Sequence, residues 1–149
     1  MEKRTVLITG ASEGIGFEIA KQFAINKHPL ILVARNEEKL ACAYKQLSSY
    51  TKVLTIPIDL TELGASKHLY DLLCSQNMKV DILVNNAGTG LEGAFQHLSL
   101  EKQMQMIQLN INALTELTYY FVRGMVERKY GRIINLSSIS GPIPTTAID

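Results

Sequence analysis

Residues Thr9 to Gly16, TGASEGIG, follow directly on the apolar run Thr5-Val6-Leu7-Ile8. Glycines at 10, 14 and 16 therefore stand where a strand gives way to a helix. Without a Cβ, glycine lets the backbone turn tightly and lets a phosphate come close to the main chain. A helix starting near Gly14 aims unpaired N–H groups and the positive end of its dipole at the same space. Strand, glycine turn and helix N-terminus together form an anion cradle, most often for the pyrophosphate of a dinucleotide. No Lys-Ser/Thr pair follows the last glycine, so the spacing is not that of a P-loop. A glycine-rich turn with no ligand carries the same letters, and the later strand ends decide between the two.

The second apolar run ends Leu32-Val33-Ala34-Arg35. A cofactor with a free ribose 2′-hydroxyl meets an acid at this place, and one with a 2′-phosphate meets an arginine. Ala34 supplies no carboxylate, whereas the Arg35 guanidinium is a rigid fork suited to phosphate. The pattern favours NADP over NAD. Glu13, inside the glycine turn, counts against that preference, because its charge would lie near the same phosphate. A solvated surface arginine is the alternative reading of Arg35. Asp59-Leu60 closes the third run, where Asp59 can accept a hydrogen bond from an adenine amine or simply cap a turn. The fourth run ends Val84-Asn85-Asn86-Ala87-Gly88. The two amides can tie neighbouring strand ends together, and Gly88 lets the backbone pass close to a ligand. The fifth, Gly131-Arg132-Ile133-Ile134-Asn135-Leu136-Ser137-Ser138, then Ile139-Ser140-Gly141, delivers serines to the same sheet edge.

The elements that must position these groups are legible from the pattern. Short β-branched runs at 5–9, 30–34, 52–57, 81–85 and 131–137 read as strands covered on both faces. Helices are expected at 14–27, 37–48, 62–77 and 99–128. On the first, Ile15, Ile19, Phe23 and Ala24 form the apolar face. Asn36 caps the second, with Glu37 and Glu38 in its first turn. Ser99 caps the last, and Met104, Ile107, Ile111, Leu114, Thr118, Phe121 and Met125 line one face of it. Alternation of strand and helix requires right-handed crossovers and an α/β fold with a parallel sheet between helix layers.

At 149 residues the chain suits one domain, 1–149. An apolar fraction of 46% with 19% charged residues is that of a globular, soluble protein. The net charge of +1 argues against nucleic acid and against an acidic membrane surface as partner. Cys42 and Cys74 match no metal or redox spacing, which implies reduced thiols and a cytoplasmic location. His28, His68 and His97 are scattered, so no metal site is expected. The run after Met1-Glu2-Lys3-Arg4 is too short for a signal peptide or a membrane span.

TGASEGIG at 9–16, NNAG at 85–88 and GRIINLSSISG at 131–141 together resemble the short-chain dehydrogenases/reductases, in order and spacing along essentially the whole chain. The resemblance implies a Rossmann-type, doubly wound sheet, incomplete at about five strands in the order 3-2-1-4-5. It implies NADP-linked carbonyl/alcohol interconversion on a small-molecule substrate. Gly10, Ser12, Gly14, Ile15 and Gly16 would line the cofactor phosphates, Arg35 would meet the 2′-phosphate, and Asp59 and Leu60 the adenine. Asn86, Ala87 and Gly88 would lie on the adenosine ribose side. Ser138 would hold the substrate oxygen; Ser137 and Ser140 fit the motif spacing less well. Asn110 would position a relay water, although by itself it reads as a polar residue bordering the apolar stripe.

The family's chemistry also needs a tyrosine that exchanges a proton with the substrate oxygen, and a lysine four residues on that lowers the tyrosine's pKa. None of the six tyrosines, at 44, 50, 70, 119, 120 and 130, has a lysine at that spacing. A general acid/base contributes ~10²–10⁴-fold, or about 3–5 kcal/mol of barrier. The expectation is a C-terminally truncated member, nearly inert as an isolated chain. Its partner would be a further copy of itself or a complementing C-terminal fragment that brings the tyrosine. A nucleotide-binding or partner-binding module, or a remnant without function, are the alternatives. The fifth strand would then be an apolar edge lacking part of its cover.

Overall fold

The computed structural model describes residues 3–138, so Ile139, Ser140 and Gly141 of the serine segment lie outside the described residues. The chain runs β1 (Val6–Thr9), α1 (Gly14–Ile25), β2 (Leu30–Ala34), α2 (Glu37–Leu47), β3 (Val53–Pro57), α3 (Ala65–Ser75) and β4 (Ile82–Asn85). A single 3₁₀ turn (Phe95–His97) leads into α4 (Leu100–Ile107), a π-helical segment (Gln108–Ala113), α5 (Leu114–Glu127) and β5 (Arg132–Asn135). All strand pairings are parallel, in the order β3-β2-β1-β4-β5. This is the expected five-stranded Rossmann-type order.

Strand side chains alternate between two cores, because successive Cβ atoms leave a strand on opposite faces. Leu7, Ile31, Val33 and Leu83 pack with Leu69 and Leu73 of α3 and with Leu117, Phe121 and Met125 of α5. Val6, Ile8, Leu30, Leu32, Ile82 and Val84 pack with Ala20 and Ala24 of α1 and with Leu40, Ala43 and Leu47 of α2. Leu7, Ile8, Leu30, Ile31, Leu32 and Leu83 are fully buried, each contributing about 1.5–3 kcal/mol by leaving water. That burial on both faces is why the central strands are continuous apolar runs. Asn36 caps α2 by accepting from the Lys39 backbone N–H at 2.8 Å, as its position suggests.

Two helices differ from the sequence expectation. In α1 the buried positions are Gly16, Ala20 and Ala24, spaced four apart, while Phe17, Ile19 and Phe23 are partly buried and Ile15 is 67% exposed. Small residues let the helix axis lie close to the sheet, and the bulky ones are displaced to its flanks. The helix expected at 99–128 is interrupted by the π segment. Its buried positions are Gln108, Ala113, Leu117, Phe121 and Met125. The step of five from 108 to 113 is the extra residue that a π turn accommodates. It rotates the apolar stripe, so Phe121 and Met125 reach the core while Met104, Ile107 and Ile111 face outward.

Among the described residues β5 pairs with β4 on one side only, and three of its four residues are exposed. Ile134, 41% exposed, stands on this edge of the sheet. Ile134→Lys is expected to change the unfolding free energy by less than about 0.5 kcal/mol, as at other exposed positions, while reducing self-association. Urea unfolding and light scattering of the 149-residue chain check the two halves of that prediction.

Candidate functional site

β1 has β2 on one side and β4 on the other. The crossovers before β3 wind away in one direction and those after it in the other. At such a switch point the strand ends part and leave a crevice beyond their C-terminal edges. Here a cleft of about 510 Å³ opens there. Gly10 and Ser12 line it from the β1–α1 turn, Arg35 and Asn36 from the end of β2, Asp59 and Leu60 from beyond β3, and Asn86, Ala87 and Gly88 from beyond β4.

The glycines divide the work. Gly10 has φ +64°, and a Cβ there would lie 2.8 Å from Asn86 Nδ2 and 3.0 Å from Ala87 Cα. A Cβ on Gly16 would strike the Gly10 carbonyl and Asn86 Nδ2. Gly14 has φ +59° with open space around it, so it serves the turn conformation rather than a close approach. Gly14 and Ile15 line a separate shallow groove with Glu18, Ile19 and Gln22, and Gly16 is buried against the turn. Of the five turn residues expected at the phosphates, the cleft lining thus contains Gly10 and Ser12 but not Gly14, Ile15 or Gly16. Gly16 acts by packing, and the Ile15 side chain projects outward from the first turn of α1.

Thr9 is the joint between β1 and β4, and sequence reading passed over it. Its buried Oγ1 accepts from the Asn86 N–H at 3.1 Å and the Ala87 N–H at 3.0 Å, and donates to the Val84 carbonyl at 3.4 Å. The Asn86 amide returns the contact, donating to the carbonyls of Thr9 and Gly10 at 2.9 and 3.0 Å. Asn85 Nδ2 donates to Thr118 Oγ1 of α5 at 3.2 Å and to Asn135 Oδ1 of β5 at 2.9 Å. The paired asparagines therefore tie strand ends across the sheet. The available signal for Thr9 was a hydroxyl closing an otherwise apolar strand.

Asn110 lies in the π segment and grips Thr89 at both backbone groups. Its Oδ1 accepts from the Thr89 N–H at 2.9 Å, and its Nδ2 donates to the Thr89 carbonyl at 2.8 Å. A Cβ on Gly88 would sit 3.3 Å from that Oδ1. The clasp holds the chain leaving β4 against the helix. Asp59 Oδ1 accepts from the N–H and Oγ1 of Thr61 at 2.9 and 2.7 Å, so the turn role is realised, and Asp59 also lines the cleft. Ser138 is exposed, three residues beyond the end of β5, at the same sheet edge but outside the cleft lining.

Arg35 is exposed beside Asn36, and Lys39, one turn into α2, also faces the cleft. Lys39 Nζ stands 2.8 Å from both carboxylate oxygens of Glu13. Lys102, Gln105 and Leu109 close the opposite wall. Their spacing of three and four in the sequence puts them on one helical face. Lys67 and Tyr70, whose pKa values are raised by hydrogen bonds to Asp71 and Cys74, sit on α3 and line no part of the cleft. Among the described residues no His, Cys, Asp and Glu group can hold a metal, and no helix is long and apolar enough to cross a membrane.

The family model for short chain dehydrogenases matches residues 4–148. The chain belongs to the short-chain dehydrogenase family. It is 38% identical over 141 residues to an NADP-dependent 3-hydroxy acid dehydrogenase of Salmonella typhi, covering 93% of this chain and 56% of that protein. It is 33% identical to an NADPH-dependent pterin aldehyde reductase of Arabidopsis thaliana, covering 91% of this chain and 56% of that protein. Among solved structures, a short-chain dehydrogenase from Sphingobium yanoikuyae in complex with NADPH matches with a TM-score of 0.89 and 34% identity, over 97% of this chain and 57% of the other. The chain thus spans somewhat more than half the length of these relatives.

In this member of the family the β1–β4 splice carries the cleft floor. Thr9→Val keeps shape but leaves two backbone N–H groups at Asn86 and Ala87 without their acceptor, at about 1–3 kcal/mol each. The expected result is a loss of about 2 kcal/mol or more in urea unfolding, with Thr9→Ser close to the parent.

Proposed function

We propose that this chain supplies the NADP(H)-binding part of an oxidoreductase that moves hydride between the nicotinamide ring and a carbonyl or alcohol carbon. The observation that carries the reading is the cleft at the switch point, with a backbone cradle at Gly10 and Ser12 and a guanidinium, Arg35, at the end of β2. The close approach at Gly10 and the position of the α1 N-terminus fit a pyrophosphate, which needs backbone N–H donors and no intervening Cβ. The Arg35 guanidinium makes no hydrogen bond or ion pair with any described residue, and its planar donors match a 2′-phosphate. The relatives named for NADP and NADPH support the same choice.

The remaining assignments follow from place. Asp59 and Leu60 would bound the adenine end, where the Asp59 carboxylate could accept from an exocyclic amine while its Oδ1 keeps the Thr61 turn. Asn86, Ala87 and Gly88 would lie on the adenosine ribose side. Gly14, Ile15 and Gly16, the first turn of α1, would line the cofactor phosphates with their backbone as well as shape the turn. Bound cofactor supplies or accepts the hydride. Ser138 would hold the substrate oxygen from the edge of β5, and Asn110, locked to Thr89, would fix the helix backbone that orients a relay water. The acid/base tyrosine and its lysine come, in this reading, from residues outside these 149, in the further length that the relatives have or in a complementing chain. Unpaired, exposed Cys42 and Cys74 fit a reducing cytoplasm.

Calorimetric titration of the 149-residue chain tests the reading. NADPH is expected to bind more tightly than NADH, and Arg35→Met is expected to weaken NADPH by about tenfold, the scale of one lost charge-assisted contact, with NADH little changed. With no Tyr-x-x-x-Lys in the sequence, no carbonyl substrate should be reduced by this polypeptide alone. Failure to bind either nucleotide would overturn the proposal.

A further inference from the structure

The 2′-phosphate end of the cleft holds a carboxylate. Glu13 lines the same wall as Arg35, Asn36 and Lys39, and an anion there opposes a second anion. The structure answers with Lys39, whose ammonium meets both Glu13 oxygens at 2.8 Å. Lys39 is held at both ends, since its backbone N–H is bound by the Asn36 cap at 2.8 Å. Glu13 occupies the N-cap position of α1 yet makes no side-chain capping bond there. Between side chains that are 50% and 67% exposed, such a pair adds little to folding stability. Its consequence lies in the charge that the cleft presents.

Resting on the NADP reading above, we propose that the Glu13–Lys39 pair sets the cofactor preference. Lys39 is a positioning residue: it neutralises Glu13 and draws its carboxylate toward α2, so that Arg35 receives the 2′-phosphate without a competing anion. The same carboxylate, if released, suits the other cofactor. A carboxylate near this strand end accepts a hydrogen bond from a ribose 2′-hydroxyl, the group NADH carries in place of the phosphate. Glu13 therefore carries a latent preference for the unphosphorylated ribose, and Lys39 masks it.

The test is calorimetry on the full 149-residue chain and its K39M, E13Q and E13Q/K39M variants, with circular dichroism to confirm that each is folded. The probes are NADPH and NADH, then 2′,5′-ADP and 5′-AMP, which read the adenosine half alone. K39M is expected to weaken NADPH and 2′,5′-ADP by about tenfold and to leave NADH and 5′-AMP within about twofold, or to tighten them. Because the damage is the uncovered carboxylate, E13Q/K39M should return 2′,5′-ADP to within about twofold of the parent. Equal losses for phosphorylated and unphosphorylated ligands would overturn the inference. So would a double variant as weak as K39M, which would make Lys39 a direct phosphate contact. A parent chain that binds no nucleotide overturns the NADP reading and this inference together. A parent that prefers NADPH with a K39M variant that prefers it equally overturns this inference alone.

Discussion

The site depends on how closely the β1–α1 turn approaches the end of β4. Gly10, Gly16 and Asn86 occupy a volume in which no Cβ on either glycine can be placed without displacing the Asn86 amide or the turn's own carbonyl. That amide holds the carbonyls of Thr9 and Gly10, and Thr9 Oγ1 holds the backbone of Asn86 and Ala87 in return. Each partner satisfies polar groups that burial would otherwise leave unpaired, at a cost comparable to a lost hydrogen bond. The cleft floor is therefore built from reciprocal contacts between two strand ends that are 75 or more residues apart in sequence.

Around that joint the chain uses polar side chains as structure before it offers any as chemistry. Asn85 links β4 to α5 and β5, Asn110 clasps Thr89, and Asp59 closes its own turn. The charged residues that line the cleft are Glu13, Arg35, Lys39, Asp59 and Lys102, and of the structural side chains named above Asp59 alone is among them. This economy makes the motifs resistant to a purely functional or purely structural reading. Asp59 in particular serves its turn with one oxygen and also lines the cleft.

The π segment has a comparable double role. It shifts the buried face of the α4–α5 run by one residue, so that Leu117, Phe121 and Met125 fill the core beneath β4 while Asn110 points to the chain leaving β4. A regular helix would satisfy one of these demands and misplace the other. The extra residue costs regular hydrogen bonding within one turn and is retained where it orients a polar side chain.

The amino-acid sequence by itself determined the alternation of strands and helices, the two-sided burial of β1, β2 and β4, the Asn36 cap and the cluster of glycines at the first turn. These are local properties: apolar runs, short-range periodicity and residues with particular backbone freedom act over a few positions. It also carried the family motifs in order, which located Arg35, Asp59 and Asn86 at strand ends bordering one cleft. Tertiary structure decided which turn residues face that cleft. Ile15 and Gly14 were drawn to the outer groove, because the small residues at 16, 20 and 24 had to face the sheet. It also decided the rotation of the last helix, the Thr9 joint and the pairing of Glu13 with Lys39. Each of those depends on the distance between segments far apart in the chain, and neither periodicity nor residue type encodes a distance of that kind.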